Sequence, residues 1–149
     1  MKKIIALLFI MFLFLSSICN AFEPPNPNRW LWVGSDDKIG VWIDRQTIKA
    51  SKDTNRYSST YGCRFIQSWE MQYYANENTH SIANVEHNLD RRLRRTLSLT
   101  KYDDSGNVIY SNDDRSRYVS IVPGSWGEVI LTYMEVFYDL ETNNPRIYN

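Results

Sequence analysis

Residues 63–73, with the sequence CRFIQSWEMQY, decide the fold class because apolar side chains recur there at every second position. On an extended chain, one face would carry the alternate residues Cys63, Phe65, Gln67, Trp69, Met71 and Tyr73. The opposite face would carry Arg64, Ser68, Glu70 and Gln72, with Ile66 as an apolar exception. Because side chains alternate between the two faces of a strand, this pattern predicts one long strand with the first set turned toward the core.

Shorter runs with the same period predict further strands at residues 30–33, 41–43, 81–89, 93–102 and 108–110. Gly, Ser and Asp residues between the first two runs suit a hairpin turn, as does the sequence DDSGN before the last run. Within residues 93–102, strict alternation would place Leu93, Arg95, Leu97 and Leu99 on one face.

The period changes near the C-terminus, where the sequence SWGE at 125–128 has the spacing of a helix capping box. In that motif the Ser125 hydroxyl accepts from the amide of Glu128, and the Glu128 carboxylate accepts from the amide of Ser125. Apolar residues then recur at Trp126, Ile130, Tyr133 and Phe137, which predicts a helix of about three to four turns. The sequence therefore predicts an α+β fold, with about six antiparallel strands in a curved sheet and one C-terminal α-helix packed on it.

The N-terminus has the pattern of an export signal, with two lysines, an apolar run over residues 4–15, and then small residues. The run is too short to span a bilayer, and Cys19 and Ala21 suit cleavage before Phe22. Lipidation of Cys19 is the alternative. The predicted divisions are a signal peptide at 1–21, a Pro-rich lead at 22–29, the folded domain at 30–138 and a flexible tail at 139–149. We therefore expect an exported protein without a transmembrane segment, in the periplasm, at the cell surface or secreted.

The composition excludes several classes of protein. The full chain of 149 residues carries 17 basic and 17 acidic residues, and removal of a signal with two lysines leaves a charge of −2. This balance argues against a nucleic-acid binder, and 43% hydrophobic residues argue against a disordered chain. After cleavage Cys63 is the single cysteine, which leaves no intrachain disulfide. We expect it to be a buried thiol, with an intermolecular bridge or a nucleophile as alternatives.

The sequence contains no recognisable catalytic or cofactor motif. His80 and His87 are seven residues apart and would point to opposite faces of a strand, which disfavours a shared metal site. The adjacent aspartates at 36–37, 103–104 and 113–114 lie in predicted turns, where acidic side chains stay solvated. We therefore expect a protein that is not an enzyme and that holds no cofactor and no metal.

Four arginines in five residues form the sharpest charge feature, and they are the candidate ligand-binding residues: Arg91, Arg92, Arg94 and Arg95. Guanidinium groups bind carboxylates, phosphates and sulfates well, so the segment could contact an acidic partner, a sulfated glycan or a lipid headgroup. The alternative is a solvated turn and strand edge with no ligand.

Aromatic side chains supply a second candidate surface. Trp30 and Trp32 share one face of a predicted strand, while Leu31 and Val33 take the other. Unless both faces are covered, some of these large apolar groups must be exposed, as candidates for a partner surface or a dimer interface.

Three stretches resemble the bacterial surface-adhesin protein E family and span nearly the whole folded unit. They are Trp32-Val33 with Val41–Asp44 and Thr47-Ile48, then Arg95–Asp103 with Gly106–Ile109, and last Ile121–Glu128. The resemblance implies an antiparallel sheet with a C-terminal helix on its concave side and export to the cell envelope. In the best-known members it also implies binding to host matrix and serum proteins such as vitronectin, laminin and plasminogen.

Many relatives in that family tether the helix to the sheet with a disulfide, and the corresponding positions here are near Leu89 and Glu135. Without that pair, the resemblance implies that apolar packing of Tyr133, Met134 and Phe137 holds the helix. The sequence thus favours a non-enzymatic binding or adhesin-like module at the cell envelope. The alternative is a periplasmic structural or accessory protein, either monomeric or homodimeric, with no host ligand.

Overall fold

A computed structural model describes residues 25–143, which form eight strands and one α-helix. The strands are β1 (Trp30–Ser35), β2 (Ile39–Asp44), β3 (Lys49–Lys52), β4 (Arg64–Tyr74), β5 (Thr79–Asn88), β6 (Leu93–Tyr102), β7 (Val108–Asn112) and β8 (Val119–Ser120). The helix is α1 (Trp126–Asn143), and a short 3-10 turn spans Arg45–Thr47. The predicted α+β class is confirmed, with more strands than the sequence indicated.

The sheet is open and antiparallel, in the order β1-β2-β4-β5-β6-β7. Two short strands account for the higher strand number. β3 pairs with the first residues of β4 while β2 pairs with its last, because the 3-10 turn interrupts that edge of β4. In the same way, β8 pairs with the start of β6 and β7 with its end.

The helix packs on one face of the sheet, over β3 and β4. Its buried side chains are Ile130, Leu131, Met134, Phe137 and Tyr138. They meet a layer of sheet residues that includes Val41, Ile43, Ile66 and Leu89. Apolar packing joins most of the helix to the sheet, and Leu89 takes part in it as a core residue that is 2% exposed. Polar contacts add to it at the start of the helix, where Trp126 donates to Asp36 and Glu128 pairs with Arg92.

The helix is longer than predicted and runs to Asn143. The predicted boundary at 138 was wrong for residues 139–143, because Leu140 extends the apolar stripe and packs against the core. The rest of the predicted tail, residues 144–149, lies outside the described residues, as do the predicted signal peptide and Cys19. In residues 25–143, no helix is both long and apolar enough to cross a membrane.

The orientation predicted for β4 was wrong. The residues that face α1 are Ile66, Ser68 and Glu70, which are each at most 1% exposed, and the Ser68 hydroxyl lies 3.8 Å from the sulfur of Met134. The alternate, more apolar set lies on the opposite face, where Met71 pairs with Trp42 of β2. Aromatic and aliphatic side chains pack against one another across strands on that face, so it is partly buried without a covering helix.

A β-bulge in β6 also breaks the alternation that the sequence suggested. Asn84 and Val85 of β5 pair with Ser98 and Thr96, so Leu97 is the extra residue. Beyond the bulge the parity reverses. Leu99 consequently lies on the same face as Thr96, and not on the face of Arg95 as predicted.

The N-terminal cap of α1 differs from the predicted capping box by one residue. The Glu128 carboxylate accepts from the amide of Gly124 at 2.8 Å, and the Ser125 hydroxyl donates to the carbonyl of Val122 at 2.6 Å. Gly124 has a φ of 76°, a left-handed conformation that costs glycine little and brings its amide toward Glu128.

The described part of the Pro-rich lead is a turn fixed to the sheet. The amide of Trp30 donates to the carbonyl of Asn26 at 2.9 Å, and Arg45 donates to the carbonyls of Pro27 and Asn28. Arg29 binds the buried Asp44 carboxylate at 2.7 Å. These contacts hold the turn beside β1.

Candidate functional site

The structure separates the four candidate arginines. Arg91 donates to the carbonyl of Ser59, and Arg92, which has a left-handed φ of 52°, forms an ion pair with Glu128 at the start of α1. Arg94 and Arg95 are neighbours on β6 and therefore point to opposite faces of the sheet. The segment does not form one continuous patch of guanidinium groups.

Arg95 lies on the face opposite the helix, in a cluster with Glu86 and Tyr118. Its guanidinium binds Glu86 at 2.7 Å and lies 4.6 Å from the centre of the Tyr118 ring. The Tyr118 hydroxyl also hydrogen-bonds Glu86. Partial burial, with the hydrogen bond and charge of Glu86, raises the pKa of Tyr118 to about 12. This cluster fastens the chain before β8 onto β5 and β6.

Arg94 lies on the helix side, beside a buried carboxylate and a buried imidazole. Glu70 and His87 are 1% and 0% exposed, and Glu70 Oε1 lies 2.7 Å from His87 Nε2. Arg94 Nη2 lies 3.8 Å from Glu70 Oε2, an ion-pair distance that is too long for a hydrogen bond. Glu70 Oε2 and His87 Nδ1 are both buried without a hydrogen-bond partner among the described residues.

The ionisation of Glu70 depends on these neighbours. Burial alone would raise the pKa of Glu70, because a charged group loses hydration in the interior. The charge of His87 and its hydrogen bond, together with the charge of Arg94, outweigh that effect and hold the pKa of Glu70 below its ordinary value. The contacts with His87 and Arg94 therefore keep the Glu70 carboxylate charged in the interior.

An open cavity of about 240 Å³ lies beside this cluster, on the helix face of the sheet. The register places Glu70, Ala83 and Leu99 in one row across β4, β5 and β6, and Gln72, Ser81, Lys101 and Tyr110 in the next row. The bulge at Leu97 is what brings Leu99 and Lys101 to the same face as Arg94. The cavity thus combines three charged side chains with an apolar floor.

A second and larger depression lies at the other end of the sheet, along β1. It has a volume of about 850 Å³ and is mainly apolar. Its lining consists of Pro25, Pro27, Trp30, Leu31, Trp32, Trp42 and Arg45. We call this depression the aromatic groove.

Local sequence explains how the aromatic groove is built. Trp32 pairs with Trp42 across β1 and β2, so the two indoles lie side by side on the face opposite the helix. Gly40 provides room for Trp42, since a Cβ atom at Gly40 would lie 2.5 Å from the Trp42 ring. Trp42 is 9% exposed, whereas Trp32 is 58% exposed. One tryptophan therefore supports the groove and the other presents its surface to solvent.

The backbone beside the aromatic groove is also unpaired. β1 is the first strand of the sheet, and among residues 25–143 no strand pairs with its outer side. Arg29 lies next to Trp30, with its guanidinium 5.7 Å from the ring centre and half of its side chain exposed. Because Arg29 is already paired with Asp44, the positive charge at this edge rests on Arg45, which lines the groove.

His87 belongs to the buried cluster with Glu70. His80 and the pairs of neighbouring aspartates in the turns line neither of the two depressions. His80 stacks on Tyr102 at 4.9 Å, on the face opposite His87, as the spacing predicted. Asp36 and Asp103 accept backbone amides within their turns. In the part of the chain that the structure describes, no group of three or more His, Cys, Asp or Glu residues could hold a metal ion.

Sequence reasoning missed the cluster at Glu70. The available signal was an acidic residue between Trp69 and Met71, which alternation assigned to the solvent face together with Arg64, Ser68 and Gln72. The partners of Glu70 lie on two other strands, so their proximity depends on register and on the bulge in β6. An exposed large apolar group on β1, by contrast, was expected from the sequence, and the structure shows that it is Trp32.

Comparisons with protein-family models, with curated proteins and with solved structures found no match to this chain. The resemblance to the surface-adhesin protein E family therefore stays a prediction from sequence motifs.

Proposed function

We propose that the protein is an exported, non-enzymatic binding module of the cell envelope, which holds an extended segment of a partner protein along the free edge of β1. The observation that carries this proposal is the aromatic groove, with Trp32 58% exposed beside an unpaired strand edge. An exposed edge can pair with an added strand through main-chain hydrogen bonds, and adjacent pockets then take alternate side chains.

The residue types in the aromatic groove support a protein partner. Tryptophan and arginine are enriched among the residues that dominate binding energy at protein interfaces. Trp30, Trp32 and Trp42 offer a rigid apolar surface, and Trp42 is already fixed by packing against Gly40 and Met71. A surface ordered before binding loses little conformational entropy when a partner docks.

The charge at this edge indicates the chemistry of the partner segment. Arg45 lines the aromatic groove, whereas Arg29 beside it is paired with Asp44, so a segment with apolar side chains and a carboxylate near Arg45 complements the groove. Host matrix and serum proteins are the partner class that the family resemblance implies. Export, expected from residues 1–21, would bring the module to such partners at the cell surface.

The direct test measures binding of the purified protein to immobilised vitronectin and laminin by surface plasmon resonance. We expect Trp32→Ala to weaken binding at least tenfold, with the same thermal unfolding as the original protein. Tyr57→Ala is the matched control, because Tyr57 is 99% exposed in a loop away from the aromatic groove. No binding to either protein, or equal weakening by both variants, would overturn the proposal.

A triple arginine variant, assayed for heparin retention and for protein binding, distinguishes this proposal from a ligand site on the arginine segment. The triple substitution of Arg91, Arg92 and Arg94 to serine should leave binding to vitronectin and laminin unchanged if the aromatic groove is the site. Loss of binding in the triple variant, together with loss of heparin retention, would assign the contact to the arginines instead.

A periplasmic accessory protein that forms a homodimer is the second candidate function. It is favoured by the other free edge of the sheet, β7, on which Val108, Ile109 and Tyr110 are each about half exposed. Analytical ultracentrifugation at micromolar concentration tests it, with Ile109→Lys expected to dissociate such a dimer. Antibody labelling of intact cells distinguishes the two candidates, since a periplasmic protein would not be labelled.

A further inference from the structure

The cavity beside Glu70 contains a buried carboxylate oxygen that lacks a hydrogen-bond donor and a guanidinium group that lacks a close acceptor. Glu70 Oε2 is buried without a hydrogen-bond donor, and an unpaired buried carboxylate oxygen is costly. Arg94 is the nearest cation, but its Nη2 is 3.8 Å away. Its side chain is 22% exposed and makes no shorter polar contact among those the structure gives. Glu70 Oε2 thus lacks a donor and Arg94 lacks a close acceptor, although the two groups are neighbours in space.

The rest of the lining defines what could fill this space. Lys101 adds a second positive charge, although it is already bound to Glu77 outside the cavity. Ala83 and Leu99 form an apolar floor, with Tyr110 at the open side. At about 240 Å³, the space exceeds that of a single water molecule several-fold, since water occupies about 30 Å³ in the liquid.

We propose that this cavity binds a small α-amino acid in its zwitterionic form, with the ammonium group donating to Glu70 Oε2 and the carboxylate accepting from Arg94. In such a ligand the two charged groups are attached to one carbon atom, so a single small molecule can reach both Glu70 and Arg94, which are neighbours in the cavity. Because Glu70 Oε2 is buried and Arg94 lies 3.8 Å from it, binding requires the long, partly exposed Arg94 side chain to move aside for the ammonium group and then pair with the carboxylate.

The floor of the cavity adds a preference among amino acids. An aliphatic side chain of the ligand would lie against Leu99 and Ala83. His87 is a positioning residue in this site, since it fixes Glu70 Oε1 at 2.7 Å and leaves Oε2 to the ligand. The site is separate from the aromatic groove, which lies on β1 and β2 at the other end of the sheet.

The test is a titration of the isotope-labelled protein with L-leucine, followed by NMR shifts of backbone amides. We expect saturable shifts at residues around Arg94, Leu99 and Lys101. Propionate and isobutylamine each supply only one of the two charged groups, so they should bind at least tenfold more weakly. No saturable shifts with millimolar L-leucine would overturn the proposal, and so would equal binding of propionate or of glucose.

Substitutions of two neighbouring arginines test which face of the sheet carries the binding site. Arg94→Gln should weaken L-leucine binding at least tenfold, whereas Arg95→Gln, one residue away on the opposite face, should leave it unchanged. Arg94 is partly exposed, so its variant keeps the fold even if Glu70→Gln does not. Equal affinity in the Arg94→Gln variant, or equal loss in both arginine variants, would contradict the assignment.

Discussion

The substitution His87→Ala gives a large and specific prediction about stability. It removes the hydrogen-bond partner of Glu70 Oε1 and leaves a carboxylate that is 1% exposed with only Arg94 near it. Breaking a buried ion pair by removing one partner costs about 3–5 kcal/mol. For a domain of this size, that corresponds to a fall in melting temperature of about 12–20 °C.

The cost of His87→Ala should also depend on pH. In the original protein, the pKa of Glu70 is held below its ordinary value, so its contribution to stability is complete above a pH of about 4.3 and is lost as the pH falls through the lower folded value. Without His87, the effect of burial exceeds that of Arg94 and raises the pKa of Glu70 above its ordinary value. Ionisation then opposes folding, so the difference in the free energy of unfolding grows as the pH rises from 4 to 7.

Urea unfolding at pH 4 and pH 7, followed by tryptophan fluorescence, measures both effects. His80→Ala is the matched control, because His80 is partly exposed on the opposite face, and we expect it to cost about 1 kcal/mol or less through lost stacking on Tyr102. A cost below about 1 kcal/mol for His87→Ala, or a cost that does not change with pH, would refute the account of this buried pair.

Three further substitutions test the packing. Gly40→Ala should destabilise the protein by about 1–3 kcal/mol in urea unfolding, because the new Cβ atom would lie 2.5 Å from the Trp42 ring. Ile130→Ala, at a fully buried position of α1, should cost about 2–5 kcal/mol in the same assay, and a smaller value would mean that the helix is not packed on the sheet as described. Glu128→Ala should cost about 0.5–2 kcal/mol and lower helicity by circular dichroism, since the amide of Gly124 loses its acceptor.

The fold class could be predicted from the sequence because it depends on local periodicity. The alternation in residues 63–73 and the three-to-four-residue spacing after Ser125 each indicate one type of element without tertiary information. β3 and β8 were missed because they are short, at four and two residues, and carry few large apolar side chains.

The orientation of β4 could not be predicted because both of its faces are partly buried. Alternation tells which residues share a face, but it does not tell which face the helix covers. Here the helix covers the face with Ser68 and Glu70, where His87 hydrogen-bonds the carboxylate and Arg94 lies 3.8 Å from it. The more apolar face, with Met71, is covered instead by Trp42 from the neighbouring strand.

The candidate sites likewise include features that the sequence pattern predicts and features that depend on how the strands pair. Exposure of an aromatic residue on β1 follows from counting large side chains on two faces, and Trp32 is exposed. The arginine segment looked continuous because its residues are adjacent in sequence, whereas strand alternation places Arg94 and Arg95 on opposite faces. The cavity beside Glu70 depends on the bulge at Leu97, which no local sequence signal indicated.

Amide hydrogen exchange of the protein, with and without saturating laminin, tests most directly whether the free edge of β1 is the binding surface. We expect slower exchange in Trp30–Ser35 of the complex, with unchanged exchange in Val108–Asn112 and around Arg91. Protection at β7 or in the arginine segment, with β1 unaffected, would contradict the proposed function.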